Sequence, residues 1–428
     1  MLIEATTQTT LGNVYILAND DDLHVGSDVT LRSTYSDPVT RTGADAIIAW
    51  TGTHRITVDG TVYGEDEAIN LVGCVTAQTV VISTSGRLYG GGDGIVEDAD
   101  GVILDGFGST LTNAGLIHAW GSAVSAIVLD NSVMTVSNSG TMYGRVSGVW
   151  HKFGNGTLNF TNTGTVESPN ASYLGGDSVD NVTNAGQMIG MVTLGGGNDL
   201  YDGRTGRVTG SVLGGTGDDL FRAGSHADSF DAGEGFDTLN LGHATTALRI
   251  NLVTPSLNAG AVVAGDSYAG FERFIAGSGA DRLTGDAQAN VFEGGAGSDT
   301  LLGDAGDDVL TGGAAKDYLT GGAGADRFVF LTNSGNGDVI ADFSNAVDKI
   351  VLEGSAFGYG TRTGALSAAD FVASTSNYGA RDTSDHFIYR TTDATLWYDV
   401  DGSGWRGAVL IADLQTGAGL TAAGIEFI

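Results

Sequence analysis

Six nine-residue units run without a gap from 276 to 329: AGSGADRLT, GDAQANVFE, GGAGSDTLL, GDAGDDVLT, GGAAKDYLT and GGAGADRFV. Three more run from 214 to 240, GGTGDDLFR, AGSHADSFD and AGEGFDTLN, and LGGGNDLYD stands alone at 194–202. The template is Gly-Gly-x-Gly-x-Asp-x-apolar-x. Nine units carry Asp or Asn at position six and Leu or Phe at position eight. The first six residues make a turn and the last three a short strand, whose one apolar residue points inward. Two units close one coil, so equivalent turns stack about 4.8 Å apart, the spacing of hydrogen-bonded strands. Stacked glycine turns present backbone carbonyls, and the position-six carboxylates line up between them. All-oxygen cages of this kind suit Ca²⁺.

A looser repeat fills the N-terminal half. Its core is small-polar–Gly–x–apolar, as in DGTVYG (59–64), SGRLYG (85–90), NAGLIH (113–118), SGTMYG (139–144), TGTVES (163–168), AGQMIG (185–190) and TGRVTG (205–210). The shared glycine falls at 60, 86, 115, 140, 164, 186 and 206. Its period of roughly 20–30 residues is of the size that marks stacked repeats. Alternation such as ITVDGTV and LTNAGLI turns every second side chain inward. Gly and Asn accept the positive φ that coil corners need. Leucine-rich repeats share the period, but their Leu scaffold and helix-period segments are absent. The expected fold class is therefore all-β: a right-handed parallel β-solenoid, wide at first, narrowing into a calcium β-roll and closed by a C-terminal β cap.

Composition agrees. Gly is 69 of 428 residues and Pro only 3. That excludes a Pro-rich disordered chain, and no Gly-x-y period suggests collagen. The 51 acidic and 19 basic residues give a net charge of −32, with Lys only at 152, 316 and 349. Phosphate-backbone binding needs clustered Lys and Arg, so nucleic acid is a poor partner. Self-repulsion at this charge favours multivalent cations. Cys74 is the single cysteine, so no intrachain disulfide can form, and it reads as a buried small apolar residue. No run approaches the roughly 18 apolar residues of a transmembrane helix. The start, MLIEATTQTT, has neither the basic region nor the apolar run of a Sec-type signal peptide.

The nonads resemble the RTX calcium-binding repeat, the parallel β-roll of bacterial proteins exported by type I secretion, over roughly 194–428. The resemblance implies several bound Ca²⁺, each between turns two nonads apart. That pairs Asp281 with Asp299 and Asp299 with Asp317 on one edge. On the other it pairs Asn290 with Asp308 and Asp308 with Asp326. In the first block it pairs Asp219 with Asp237. Asp228 has no Asp at 210 or 246 to pair with. The ligand set implied is Asp199, Asp219, Asp228, Asp237, Asp281, Asn290, Asp299, Asp308, Asp317 and Asp326. The turn positions Gly215, Gly217, Gly235, Gly277, Gly279, Gly295, Gly297, Asp304, Gly306, Gly313, Gly322 and Gly324 complete it. Asn290 lowers the charge of its site, and His226, Gln288 and Ala315 stand where Gly is usual at position four.

Three regions are expected: a β-helix over 1–193, the calcium roll over 194–329 with an insertion at 241–275, and a cap with the secretion-signal region over 330–428. The insertion reads as one or two longer coils. GDVIADFSNAVDKIVL (337–352) resembles the segment that closes many RTX rolls, which makes Asp338, Asp342 and Asp348 further candidate ligands. The final Glu426-Phe427-Ile428 resembles an uncleaved type I secretion signal. Asp399-x-Asp401-Gly402-x-Gly404 resembles the start of an EF-hand, but Leu410 stands where the bidentate Glu belongs, so a hairpin turn is expected instead.

Catalytic chemistry has little foothold. No His-Glu-x-x-His occurs, which excludes a serralysin-type protease, and the seven His are scattered singly. The chain lacks the long hydrophobic segment of pore-forming RTX toxins. The rival to a structural role is a polysaccharide lyase or C5-epimerase on the N-terminal β-helix. Its proton shuttles would come from Glu97, Asp98, Asp100, Asp105, Arg87, Tyr89, His118, His151 and Lys152. The Asp-Pro-His element of the alginate epimerases is missing, since the only Asp-Pro, Asp37-Pro38, is followed by Val. The expectation is a non-enzymatic, extracellular, calcium-folded component of a surface layer, matrix or adhesin. Its partners would be other copies of itself, the type I secretion machinery and, as a further class, cell-surface polysaccharide. Open solenoid ends leave unpaired strand edges that favour assembly.

Overall fold

The computed structural model describes residues 1–34, 44–91, 99–129, 131–226, 228–334, 336–375, 386–402 and 407–428. Among them the regular elements are β-strands, joined by two 3₁₀ turns at Pro255–Leu257 and Ala422–Gly424. Contacts divide the chain into two compact units, Met1–Asp237 and Thr238–Ile428. Each is a parallel β-solenoid.

A coil of the first unit has three short strands, for example Arg55–Val58, Thr61–Gly64 and Ile69–Asn70. Each strand pairs in parallel with its counterpart in the next coil. Alternation does what the pattern requires: Ile56, Val58, Val62 and Ile69 point inward and are fully buried. Core residues stack in columns whose step in sequence shortens along the chain. Leu111 lies on Val136, Val136 on Phe160, Phe160 on Val182 and Val182 on Tyr201, each step shorter than the last. The wide coils thus contract toward the length of a nonad pair within one unit.

The repeated glycine has a packing cause. A Cβ at Gly115, Gly140, Gly164 or Gly186 would overlap the carbonyl oxygen of Gly86, Gly115, Gly140 or Gly164, one coil earlier. Two residues before it runs an amide ladder. Nδ2 of Asn113, Asn138 and Asn162 donates to Oδ1 of Asn138, Asn162 and Asn184 at 2.8, 2.8 and 2.9 Å. The four amides are buried, so each bond also satisfies a group that would be costly to leave unpaired.

In the second unit Phe274, Phe292, Leu310 and Phe328 stack with a step of two nonads. The opposite sheet stacks Ile250, Leu283, Leu301, Leu319 and Ile340. All nine side chains are at most 1% exposed. The single apolar residue of each nonad therefore supplies the central column of its sheet. Residues 241–275 complete one long coil: Thr238 pairs with Arg273 and Arg249 with Arg282, steps almost twice the length of a nonad pair. After the last nonad antiparallel pairs join the parallel ones. Val409–Leu414 pairs in parallel with Asp338–Ile340, then antiparallel with Thr395–Tyr398, which pairs antiparallel with Phe387–Arg390. Asp399 and Asp401 thus lie in the connection of an antiparallel hairpin, as expected. The final strand, Ile425–Phe427, lies parallel to Lys349–Leu352, and Glu426 forms an ion pair with Arg327. Among the described residues no helix is long and apolar enough to cross a membrane.

Candidate metal centre

The position-six side chains form rows along the turns. In the second unit the backbone N–H groups of Asp281, Asp299 and Asp317 donate to Oδ1 of Asp299, Asp317 and Asp338, at 2.7, 2.8 and 3.0 Å. On the other edge Asn290, Asp308 and Asp326 donate to Oδ1 of Asp308, Asp326 and Asp348, at 2.8, 3.0 and 3.0 Å. In the first unit Asp180, Asp199 and Asp219 donate to Oδ1 of Asp199, Asp219 and Asp237, at 2.7, 2.8 and 2.7 Å. Each carboxylate therefore ties its turn to the previous one through a single oxygen.

The second oxygen is different. Oδ2 of Asp199, Asp219, Asp299, Asp308 and Asp317 is buried and has no hydrogen-bond partner among the described residues. A buried, unsatisfied carboxylate oxygen costs several kcal/mol by order of magnitude unless a cation meets it. The position-one glycine makes the space. A Cβ at Gly214, Gly294, Gly303 or Gly312 would overlap Oδ2 of Asp219, Asp299, Asp308 or Asp317.

Positions two and four shape the carbonyl row. Gly215, Gly217, Gly235, Gly295, Gly297, Gly306, Gly313, Gly322 and Gly324 all have positive φ. A Cβ at Gly295, Gly313 or Gly322 would overlap the carbonyl oxygen of Gly277, Gly295 or Asp304, one coil earlier. The donors are thus carboxylate and carbonyl oxygens, the hard set that calcium takes and thiolate-seeking metals do not.

Burial, opposed by the backbone N–H bonds, and then the neighbouring carboxylates push the row up. Asp199 reaches about 8, Asp219 and Asp299 about 7, and Asp308 and Asp317 about 6. Asp338 reaches about 6, raised by burial. Burial also raises Asp281 and Asp326.

Some expected ligands sit differently. Gly277 and Gly279 are absent from the positive-φ positions, because the turn before theirs is the long coil, where Gly277 packs on Ala244 and Gly279 on Thr246–Ala247. The Asp304 side chain is exposed at φ 79°, so that residue offers the row its carbonyl alone. Asp228 is buried near Tyr201. Asp342 accepts the N–H groups of Gly321 and Gly322 at 3.0 and 2.8 Å, tying down the last nonad turn.

The first unit's row begins before the nonads. Asp180 stands at position six of Gly175-Gly176-Asp177-Ser178-Val179-Asp180, a template turn with Ser at position four. A Cβ at Gly195 would overlap the carbonyl oxygen of Gly176, the same stacking as in the nonads. The two leading glycines and the terminal Asp were the available signal. Here Oδ1 of Asp180 meets Nδ1 of the buried His151 at 2.7 Å, which closes the row. Elsewhere, Asp45, Asp66 and Glu67 bring carboxylate oxygens within 4.8 Å of one another. Burial, then the hydrogen bond and charge of Asp45, pushes Glu67 well above the usual carboxylate range.

The residues considered for catalysis are mostly engaged by the fold. Tyr63, Tyr89, His118 and Tyr143 stack in one row, with centroids 4.7, 6.2 and 4.7 Å apart. Asp105 accepts the N–H groups of Gly73 and Gly106, and Asp100 that of Ser122. Arg87 donates to the carbonyls of Thr84 and Gly86. Lys152 lies over the Trp150 ring at 4.8 Å. Glu97 and Asp98 lie outside the described residues.

Residues 211–239, 266–301 and 293–328 match the family model of the RTX calcium-binding nonapeptide repeat (4 copies). No curated protein matches the chain.

Proposed function

Because the chain carries RTX calcium-binding nonapeptide repeats, we propose that it is an exported protein, folded by calcium outside the cell, with a structural role at the cell surface. The row of buried Oδ2 atoms without partners at Asp199, Asp219, Asp299, Asp308 and Asp317 carries the calcium assignment to individual residues. Without a cation these carboxylates repel one another inside a chain of net charge −32, which favours an unfolded, exportable state where calcium is scarce. With calcium, binding energy becomes folding energy. Type I secretion is the route that such repeats suggest.

The structural role is supported by what the fold does with its acid–base groups. His151 is buried against Asp180, and Asp100 and Asp105 cap backbone N–H groups. Solenoid coils fill both units, and a surface-layer, matrix or adhesin component built from them would assemble with copies of itself. Light scattering during a calcium titration of chelator-stripped protein tests this. Folding followed by growth into large ordered particles supports it. Folding that ends at a small discrete species removes the lattice and leaves a soluble adhesin or an enzyme.

One observation favours the second reading, a polysaccharide lyase or epimerase. Tyr89 and His118 share a half-buried outward face beside Arg87. Uronate turnover on alginate or pectin, abolished by Tyr89→Ala and His118→Ala, would establish it.

A further inference from the structure

One corner of the first unit carries a row of exposed apolar side chains. The strands Ile47–Ala49, Ile69–Asn70, Val102–Asp105, Val124–Val128 and Ser147–Gly154 pair in order along five coils. At or beyond their C-terminal ends stand Trp50, Val72, Val75, Phe107 and Phe153, and Val133 opens the strand that follows the fourth, Val133–Asn138. They are 52, 40, 62, 47, 62 and 49% exposed. The register places Trp50 level with Val72 and Phe153 with Ile127; on the coil between, that level holds the buried Asp105, and Phe107 follows two residues on. The row therefore follows the coil-stacking direction for about 20 Å, four strand spacings.

A single exposed apolar residue needs no explanation, whereas a contiguous row does. Taking about 200 Å² for a large side chain, six that are half exposed offer roughly 500–600 Å². Two such rows face to face remove at least about 1,000 Å² from water, the lower limit for a specific interface. A straight, self-complementary row suits an isologous pair related by a two-fold axis. The charges choose its direction. Asp20, Asp21 and Asp22 lie at the Trp50 end, where Asp20 and Asp22 accept the N–H groups of Thr53 and Arg55. They outnumber the Arg55 and Met1 cations there. At the other end Lys152, one of three lysines in the chain, adjoins Phe153 and is balanced by the exposed Asp177 beside it. An antiparallel pair sets each Lys152 and its balanced end against the other copy's acidic end, whereas a parallel pair sets the two acidic ends together.

We propose that this corner is a dimer interface between two antiparallel copies of the chain. Dimerisation here needs a folded first unit but no lattice and no particular surface role. The aromatic anchors Trp50, Phe107 and Phe153 would carry most of its energy.

Sedimentation velocity on the full, calcium-folded chain over a hundredfold range of concentration tests it, with circular dichroism as the folding control. The expected result is a reversible dimer step, either as the end point or as the first step toward the larger particles of the proposed surface role. Trp50→Ser with Phe153→Ser should shift it toward monomer by at least tenfold at unchanged dichroism and unchanged calcium midpoint. Val253→Ser, an exposed apolar position in the second unit, should leave it unchanged. Lys152→Glu should weaken the pair and Asp20→Lys in the same chain should restore it. A folded wild type that stays monomeric throughout overturns the proposal, as does a dimer indifferent to the double substitution. Failure to fold in calcium would instead overturn the calcium reading.

Discussion

The backbone N–H of Asp281 donates to Oδ1 of Asp299 at 2.7 Å, while Oδ2 of the same Asp299, buried at 1% exposure, has no hydrogen-bond partner among the described residues. One carboxylate is thus divided between two tasks: one oxygen fastens successive turns and the other is held for a cation.

That division separates two substitutions. Asp299→Asn keeps an oxygen for the Asp281 N–H but removes the charge, and should raise the calcium concentration at half-folding by about tenfold, ~1.4 kcal/mol. Asp299→Ala also orphans the Asp281 N–H and should cost a further 1–3 kcal/mol or so. Calcium titrations followed by far-ultraviolet circular dichroism measure both. Equal effects would show that the two oxygens do not divide the work.

Raised carboxyl groups make the metal-free fold acid-favoured. Asp199 at about 8, Asp219 and Asp299 at about 7, and Asp308, Asp317 and Asp338 at about 6 all lie above their unfolded values near 4. The folded state then binds more protons than the unfolded state between those limits. The stabilisation is complete below about pH 4 and is lost as pH rises through 6 to 8. Chelator-stripped protein should gain β-structure between pH 8 and pH 5 without calcium. At pH 5 more calcium should be needed for the same occupancy, because protons hold the same oxygens. A metal-free chain equally unfolded at both pH values would contradict this.

The cradle depends on position-one glycines that present no left-handed φ. Gly303→Ala places a methyl group against Oδ2 of Asp308 and the carbonyl of Gly321, and should cost about 1–3 kcal/mol and the calcium of that turn. Gly26→Ala meets nothing nearer than 3.6 Å and should be neutral within about 0.5 kcal/mol. Urea unfolding in calcium compares the two.

Ala315 occupies position four at φ 80°, where its neighbours in the repeat are glycine. Ala315→Gly should stabilise the calcium-loaded chain by about 0.5–1 kcal/mol, the relief of a left-handed alanine less the entropy that glycine adds to the unfolded chain. An unchanged or lower unfolding midpoint would mean the turn bears no strain.

Much of this was legible in the residues, because in a solenoid the sequence period is the spatial period. The stack of Phe292, Leu310 and Phe328 follows from counting nonads in pairs, and the overlap that forbids a side chain at Gly140 follows from the shared glycine. What escaped the pattern depended on spacing or on register between distant segments. Asp180 precedes the first nonad, in a turn with Ser for Gly, so a template scan passes over it. Asp338 and Asp348, named as candidates only through the resemblance of the closing segment, extend the two rows at intervals of 21 and 22, which the nonad count does not give. The exposed row from Trp50 to Phe153 is scattered over five coils of sequence and appears as one surface only once those coils are stacked.

Isothermal titration of chelator-stripped protein with calcium, read alongside far-ultraviolet circular dichroism, tests the central claim most directly. The account predicts uptake of several calcium ions per chain, release of protons at neutral pH, and a cooperative gain of β-structure over the same range of calcium. Absence of calcium uptake, or a β-solenoid equally well formed in chelator at pH 8, would contradict it.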